Sequence, residues 1–193
     1  MVNRMDIPEK IYPTIACCGL DCGLCPRYYT VGTSRCPGCA GPDFFNKRPT
    51  CSFITCCVKK KNLEACGQCQ DFPCSKFKSD EVYQQLKESS SYPSYKKAIP
   101  NLNFIKEHGI EKFMEQQKKR IELLETMINK FNDGRSRSFF CKVACLLNLK
   151  DLENSLDEAN LKIKADNIVD MKIKANILKN ILNQYKKKRQ NPR

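Results

Sequence analysis

The stretch Cys17-Cys18-Gly19-Leu20-Asp21-Cys22-Gly23-Leu24-Cys25-Pro26 decides how the front of this chain folds, together with Cys36-Pro37-Gly38-Cys39, Cys51 to Cys57 and Cys66-Gly67-Gln68-Cys69-Gln70-Asp71-Phe72-Pro73-Cys74. As spacings these are C-x3-C-x2-C, C-x2-C, C-x4-C and C-x2-C-x4-C. A C-x2-C turn lets two thiolates converge on one ion while the turn's amides point at the sulfurs. Twelve of the 14 cysteines lie between Cys17 and Cys74. The same 58 residues hold only 12 other large apolar side chains, close to the level at which burial no longer offsets ordering entropy. Gly and Pro punctuate the segment as turns. Metal is therefore expected to supply what the core lacks, since a structural zinc in a small peptide is worth roughly 10–16 kcal/mol near neutral pH.

Outside this segment the chain changes character. Residues 80–87 read as a short helix, followed by a loop through Tyr92-Pro93 and Pro100-Asn101. From Ile110 the apolar positions Ile110, Met114, Ile121, Leu124, Ile128 and Phe131 form one helical stripe with a polar break at Gln117. Asn132-Asp133-Gly134 closes it, with Gly134 at a left-handed cap. Further helices are expected over 139–148, over 152–161, and from about Asn167 as N-cap through Tyr185, with Lys186–Arg189 frayed. The fold class is mainly α: an irregular, metal-stapled Cys-rich module (1–79) packed on a helical half (80–193).

All 193 residues carry 34 Lys and Arg against 21 Asp and Glu, a formal charge of +13. The excess sits behind the cysteines: residues 81–193 hold 23 basic and 14 acidic side chains, residues 17–74 only 7 and 4. Such a surface can attract nucleic acid or an acidic protein, and equally can be a solvated lysine-rich face. No run approaches a membrane span, and Met1–Lys10 has no apolar h-region, so a cytoplasmic protein without a membrane partner is expected. In that compartment thiols stay reduced, which favours metal over disulfides.

No His lies inside the segment, which excludes mixed Cys/His fingers. All-sulfur sites suit zinc, in two or more ions, or a 4Fe–4S cluster. Cys22, Cys25, Cys36 and Cys39 form the first candidate site. Cys51, Cys56, Cys66 and Cys69 form the second, with Cys18 and Cys74 as alternates or part of a third. Cys18-x3-Cys22-x2-Cys25 also has the spacing of radical S-adenosylmethionine enzymes, but no β/α alternation follows it. Whether the chain is an enzyme cannot be read, and neither catalytic residues nor an organic cofactor site stands out. Cys141 and Cys145, among Phe140, Val143, Leu146 and Leu147, read as core. His108, the single histidine, lacks a neighbouring nucleophile. Asp133–Ser138 has the ingredients of an anion seat but reads better as an ordinary helix cap.

The run from Cys18 to Cys74 resembles the DUF3795 family, small cysteine-rich proteins of bacteria and archaea with presumed metal binding. The resemblance covers residues 15–80. It implies Cys18, Cys22, Cys25, Cys39, Cys51, Cys56, Cys66, Cys69 and Cys74 as ligands; Cys36 fits by spacing. Cys17, Cys57, Cys141 and Cys145 fall outside the pattern.

Overall fold

A computed structural model describes residues 7–79 and 94–190. The expected helix over 80–87 and the loop at Tyr92-Pro93 lie outside them. The described chain is mainly α-helical. Five long helices are α1 (Ser94–His108), α2 (Ile110–Phe131), α3 (Arg137–Leu146), α4 (Leu149–Ala165) and α5 (Met171–Gln190). Among the described residues no strand forms, only an isolated antiparallel bridge between Ile15 and Asp21. The chain divides into two compact units, residues 1–117 and 118–193.

In the first unit the Cys-rich segment wraps over α1 as a string of short turns. It does have an apolar core, half of which comes from elsewhere in sequence. Ile15, Leu24, Phe53, Ile54, Val58, Phe72 and Phe77 are buried together with Ala98, Leu102 and Ile105 of α1 and Ile110 and Phe113 of α2. The steps 98, 102 and 105 put one stripe of α1 against the cysteine turns.

The cysteine turns press on the backbone of α1 at two glycines. A Cβ at Gly19, whose φ is +88°, would collide with the Ala98 carbonyl. A Cβ at Gly67 would collide with the Leu102 carbonyl and stand 3.0 Å from the Ile105 Cβ. Asn101 Nδ2 donates to the Gly19 carbonyl at 2.9 Å.

Pro100-Asn101 is accordingly not a loop. Pro100 lies inside α1, where a proline costs about 3 kcal/mol relative to alanine. Burial of the stripe on either side of it outweighs that cost. Helical turns form at Ser52–Ile54 and Thr55–Lys60, where Phe53, Ile54, Cys57 and Val58 are the residues that bury.

The polar break at Gln117 has a specific cause. Gln117 is 3% exposed, and its Nε2 donates to the Asp21 Oδ1 at 2.9 Å, 96 residues back in sequence. Asp21 is itself 5% exposed.

The second unit packs the remainder of α2 with α3, α4 and α5 around Leu124, Met127, Phe131, Phe140, Leu152, Leu156, Leu178 and Leu182. Gly134 is left-handed as expected, at φ +86°. The last helix starts later than expected: Asn167 is itself left-handed at φ +48°, and the Asp170 Oδ1 accepts the Ile173 amide at 2.9 Å. Asp170 does the capping because its carboxylate sits three residues before a free first-turn amide. Nor does the basic tail fray, since α5 runs to Gln190 and the Arg189 Nε donates to the Asp151 Oδ2 at 2.7 Å. Among the described residues no helix is long and apolar enough to cross a membrane.

Candidate metal centre

None of the 14 cysteines forms a disulfide. Two C-x2-C turns adopt the same 3-10 geometry. Cys25 N donates to the Cys22 carbonyl at 3.1 Å, and Cys69 N to the Cys66 carbonyl at 3.0 Å. The small residue after the first cysteine in each, Gly23 and Gly67, is buried. Backbone hydrogen bonds then draw separate turns together: Cys66 N to Cys17 O at 2.9 Å, Cys39 N to Pro13 O at 2.8 Å and Gly23 N to Thr14 O at 2.8 Å. Glu64 ties the start of the chain to the last turn, its two carboxylate oxygens accepting the amides of Ile11 at 2.9 Å and Tyr12 at 2.8 Å.

Cys18, Cys22 and Cys25 gather beside Tyr95 of α1, whose hydroxyl is pushed up by burial and by those three sulfurs. Burial raises the Cys18 thiol to about 12, helped by the nearness of Cys39 and Cys51. Burial also raises Cys22, followed by the influence of Cys39 and Cys18. Cys39 is raised by its hydrogen bond with Cys17 and by burial. Crowded thiols of this kind resist becoming anions together, and a bound dication reverses that balance. Of the first expected set, Cys22 and Cys39 influence one another, with Cys18 and Cys25 near Cys22 and Cys51 near Cys18. The Cys36 amide donates to the Arg27 carbonyl at 2.9 Å.

Cys56, Cys66, Cys69 and Cys74 line a second place, a cavity of about 180 Å³ bordered also by Cys57 and Phe72. Cys74, an alternate by spacing, lines this cavity with Cys56, Cys66 and Cys69, and Cys51 is not among its lining residues.

Between the two places run buried sulfurs that the pattern of spacings passed over. Cys17 is 1% exposed and Cys57 is 2% exposed. The Cys39 Sγ stands 4.0 Å from the Cys17 Sγ, and the Cys57 Sγ donates to the Leu63 carbonyl at 3.3 Å. In each adjacent pair, Cys17-Cys18 and Cys56-Cys57, one residue is buried and its neighbour partly exposed, and both Cys56 and Cys57 line the second cavity. The residue signal for this was the doubled cysteine itself.

The donor set is all sulfur and soft, which fits zinc or an iron–sulfur cluster. Among the described residues no three Cys, His, Asp or Glu side chains stand as a closed ligating group. The thiols stand in pairs and within electrostatic reach, and side-chain rotation would have to complete a site.

Other candidates resolve simply. Cys141 and Cys145 are buried in the second unit's core, at 0% and 5% exposure. The His108 ring lies 4.4 Å from that of Phe104. In the loop before α3 the carboxylate of Asp133 already accepts the Arg135 amide at 3.0 Å and the Ser136 hydroxyl at 2.5 Å, while Asn132 Oδ1 accepts the Ser136 amide at 3.2 Å. The groups that would seat an anion are satisfied by the chain itself, as in an ordinary cap.

Residues 14–79 match the DUF3795 family, described as a protein of unknown function. The match covers the cysteine turns from Cys17 to Cys74 and bears out the resemblance carried by those motifs. No curated protein and no solved structure matches the chain. The DUF3795 segment and its cysteines are compatible with metal binding, and the family description assigns no activity.

Proposed function

We propose that the DUF3795 segment of this protein holds metal ions through cysteine thiolates, with zinc as the resident ion at the set Cys18, Cys22, Cys25, Cys39 and Cys51. The observation that carries the reading is the gathering of Cys18, Cys22 and Cys25 beside Tyr95, where burial, and after it the nearness of Cys39, raises the thiols of Cys18 and Cys22. Four of these five thiolates around zinc make a closed, wholly structural site, and its role here is to fix turns whose apolar partners lie on α1.

One observation favours a second reading at the other place. The cavity of about 180 Å³ among Cys56, Cys66, Cys69 and Cys74 exceeds what a zinc enclosed by four sulfurs leaves open. A 4Fe–4S cluster held by those four cysteines would occupy such a space. Elemental analysis and visible absorption of anaerobically prepared protein test both. Zinc without colour supports zinc alone; zinc together with iron, inorganic sulfide and absorption near 400 nm (roughly, for thiolate-held clusters) supports the mixed assignment. Protein containing neither metal overturns both.

A further inference from the structure

Lys10 is a buried lysine that, among the described residues, forms no ion pair. It is 5% exposed. Its Nζ donates to the Ile15 carbonyl, and its amide donates to the Ala40 carbonyl at 2.9 Å, fixing it between the two strands of chain that carry Cys17 and Cys39. Among the described residues no Asp or Glu pairs with it. A buried charge without a counter-charge costs several kcal/mol, so a lysine kept there calls for an anion.

The anionic candidates around it are sulfurs. Lys10 is bonded through its amide to the residue after Cys39, whose Sγ stands 4.0 Å from the Cys17 Sγ, and through its Nζ to Ile15, two residues before Cys17 and bridged to the residue before Cys22. A zinc held by four thiolates carries two net negative charges, and a 4Fe–4S core in its 2+ state with four thiolates carries the same. Either would be a buried anion beside Lys10.

We propose that Lys10 is the internal counter-cation of a metal–thiolate centre that includes Cys22 and Cys39. The inference rests on the metal-binding reading and deepens it. Lys10 is a positioning residue: it ligates nothing and sets the charge the centre can carry. The role predicts opposite consequences for the empty and the loaded protein. Without metal the ammonium is an uncompensated cost; with metal it is compensated.

Two variants separate this role from a mere clamp on the Ile15 carbonyl. Lys10→Met removes charge and donor, whereas Lys10→Gln keeps an N–H donor without the charge. Zinc affinity is measured by competition with a chromophoric chelator, and urea stability on reduced, metal-stripped protein. Cobalt(II) loading adds a spectrum sensitive to the charge at sulfur. The expected result is at least ten-fold weaker zinc binding in both variants, a shifted sulfur-to-cobalt absorption band, and metal-stripped stability equal to or above the wild type. Wild-type zinc affinity in either variant, or stability lost in step with affinity, overturns the assignment. A wild-type protein that binds neither zinc nor cobalt overturns the metal reading itself, and this inference falls with it.

Discussion

Lys61 Nζ stands 3.1 Å from the Cys69 Sγ and is held there by the Asp71 carboxylate, 2.5 Å from the same nitrogen. Lys61 follows the helical turn Thr55–Lys60, and Asp71 lies two residues beyond Cys69. The ammonium therefore sits at the mouth of the cavity that Cys69 lines. An N–H donor on a coordinated sulfur withdraws charge from it and shields it from protons and electrophiles. Lys61→Met is expected to speed metal transfer to a chelator several-fold, followed by absorbance. Stability should change by less than about 0.5 kcal/mol, because the pair is solvent-exposed. An unchanged transfer rate would remove Lys61 from the site.

Cys36 and Cys39 belong to one C-x2-C motif but should not be equivalent. Cys39 is buried against Cys17 and near Cys18 and Cys22. Cys36 is only partly buried, and its amide donates to the Arg27 carbonyl at 2.9 Å. Cys36→Ser should keep the full metal content by elemental analysis, while Cys39→Ser should lose about one equivalent. Equal losses would restore the reading by spacing alone.

Much of the helical architecture could be read locally, and the exceptions share a cause. The stripe from Ile110 to Phe131 is visible in sequence because one face of one helix carries it. Its break at Gln117 is a position where a partner 96 residues away changes what the site requires. Pro100 likewise contradicts local rules because the Ala98–Leu102–Ile105 face is buried by cysteine turns far off in the chain. At the site, spacing grouped cysteines that share a turn, yet turns from distant parts of the chain decide which thiols meet. Hence Cys74 joins Cys56, Cys66 and Cys69, Cys17 and Cys57 are buried, and Tyr95 and Lys10 carry no motif that would have flagged them.

Gly67 should tolerate added bulk poorly although its φ lies outside the left-handed region. Leu102 O and Ile105 both stand where a methyl would go, and neither is the loose end of a flexible side chain. Gly67→Ala is expected to cost about 1–3 kcal/mol in urea unfolding. Gly134→Ala meets no atom within 4 Å and suffers only from its φ of +86°, a cost of about 1 kcal/mol. If Gly67→Ala proved the milder change, the close approach of the 66–68 turn to α1 would be wrong.

The pair Asp21–Gln117 gives a polar test of the same packing. Gln117→Ala leaves the buried Asp21 carboxylate short of one donor, at an expected cost of about 1–3 kcal/mol. Asp21→Asn with Gln117 intact should cost less, since an amide oxygen can still accept the Gln117 N–H. Unfolding of the two single variants and the double variant in urea measures the coupling; additive effects would deny the bond.

In the second unit, Asp133 predicts a pH dependence of its own. The Ser136 hydroxyl, then the Arg135 amide and the Lys179 ammonium 3.5 Å away, hold its carboxyl down to about 2, against an ordinary value near 3.8. A carboxyl depressed on folding contributes stability that is complete above the unfolded value and disappears as pH falls through the folded one. The window is therefore pH 4 to 2. The shift corresponds to roughly 2 kcal/mol at 1.36 kcal/mol per pH unit, and solvent screening at this partly exposed position reduces it to about 1 kcal/mol. Asp133→Asn should accordingly be about 1 kcal/mol less stable than wild type at pH 5, with the gap shrinking by more than half at pH 2.5. Helix circular dichroism in urea at the two pH values, on protein of equal metal content, reads that difference. A gap independent of pH would show that Asp133 acts through its shape as a cap and not through its charge.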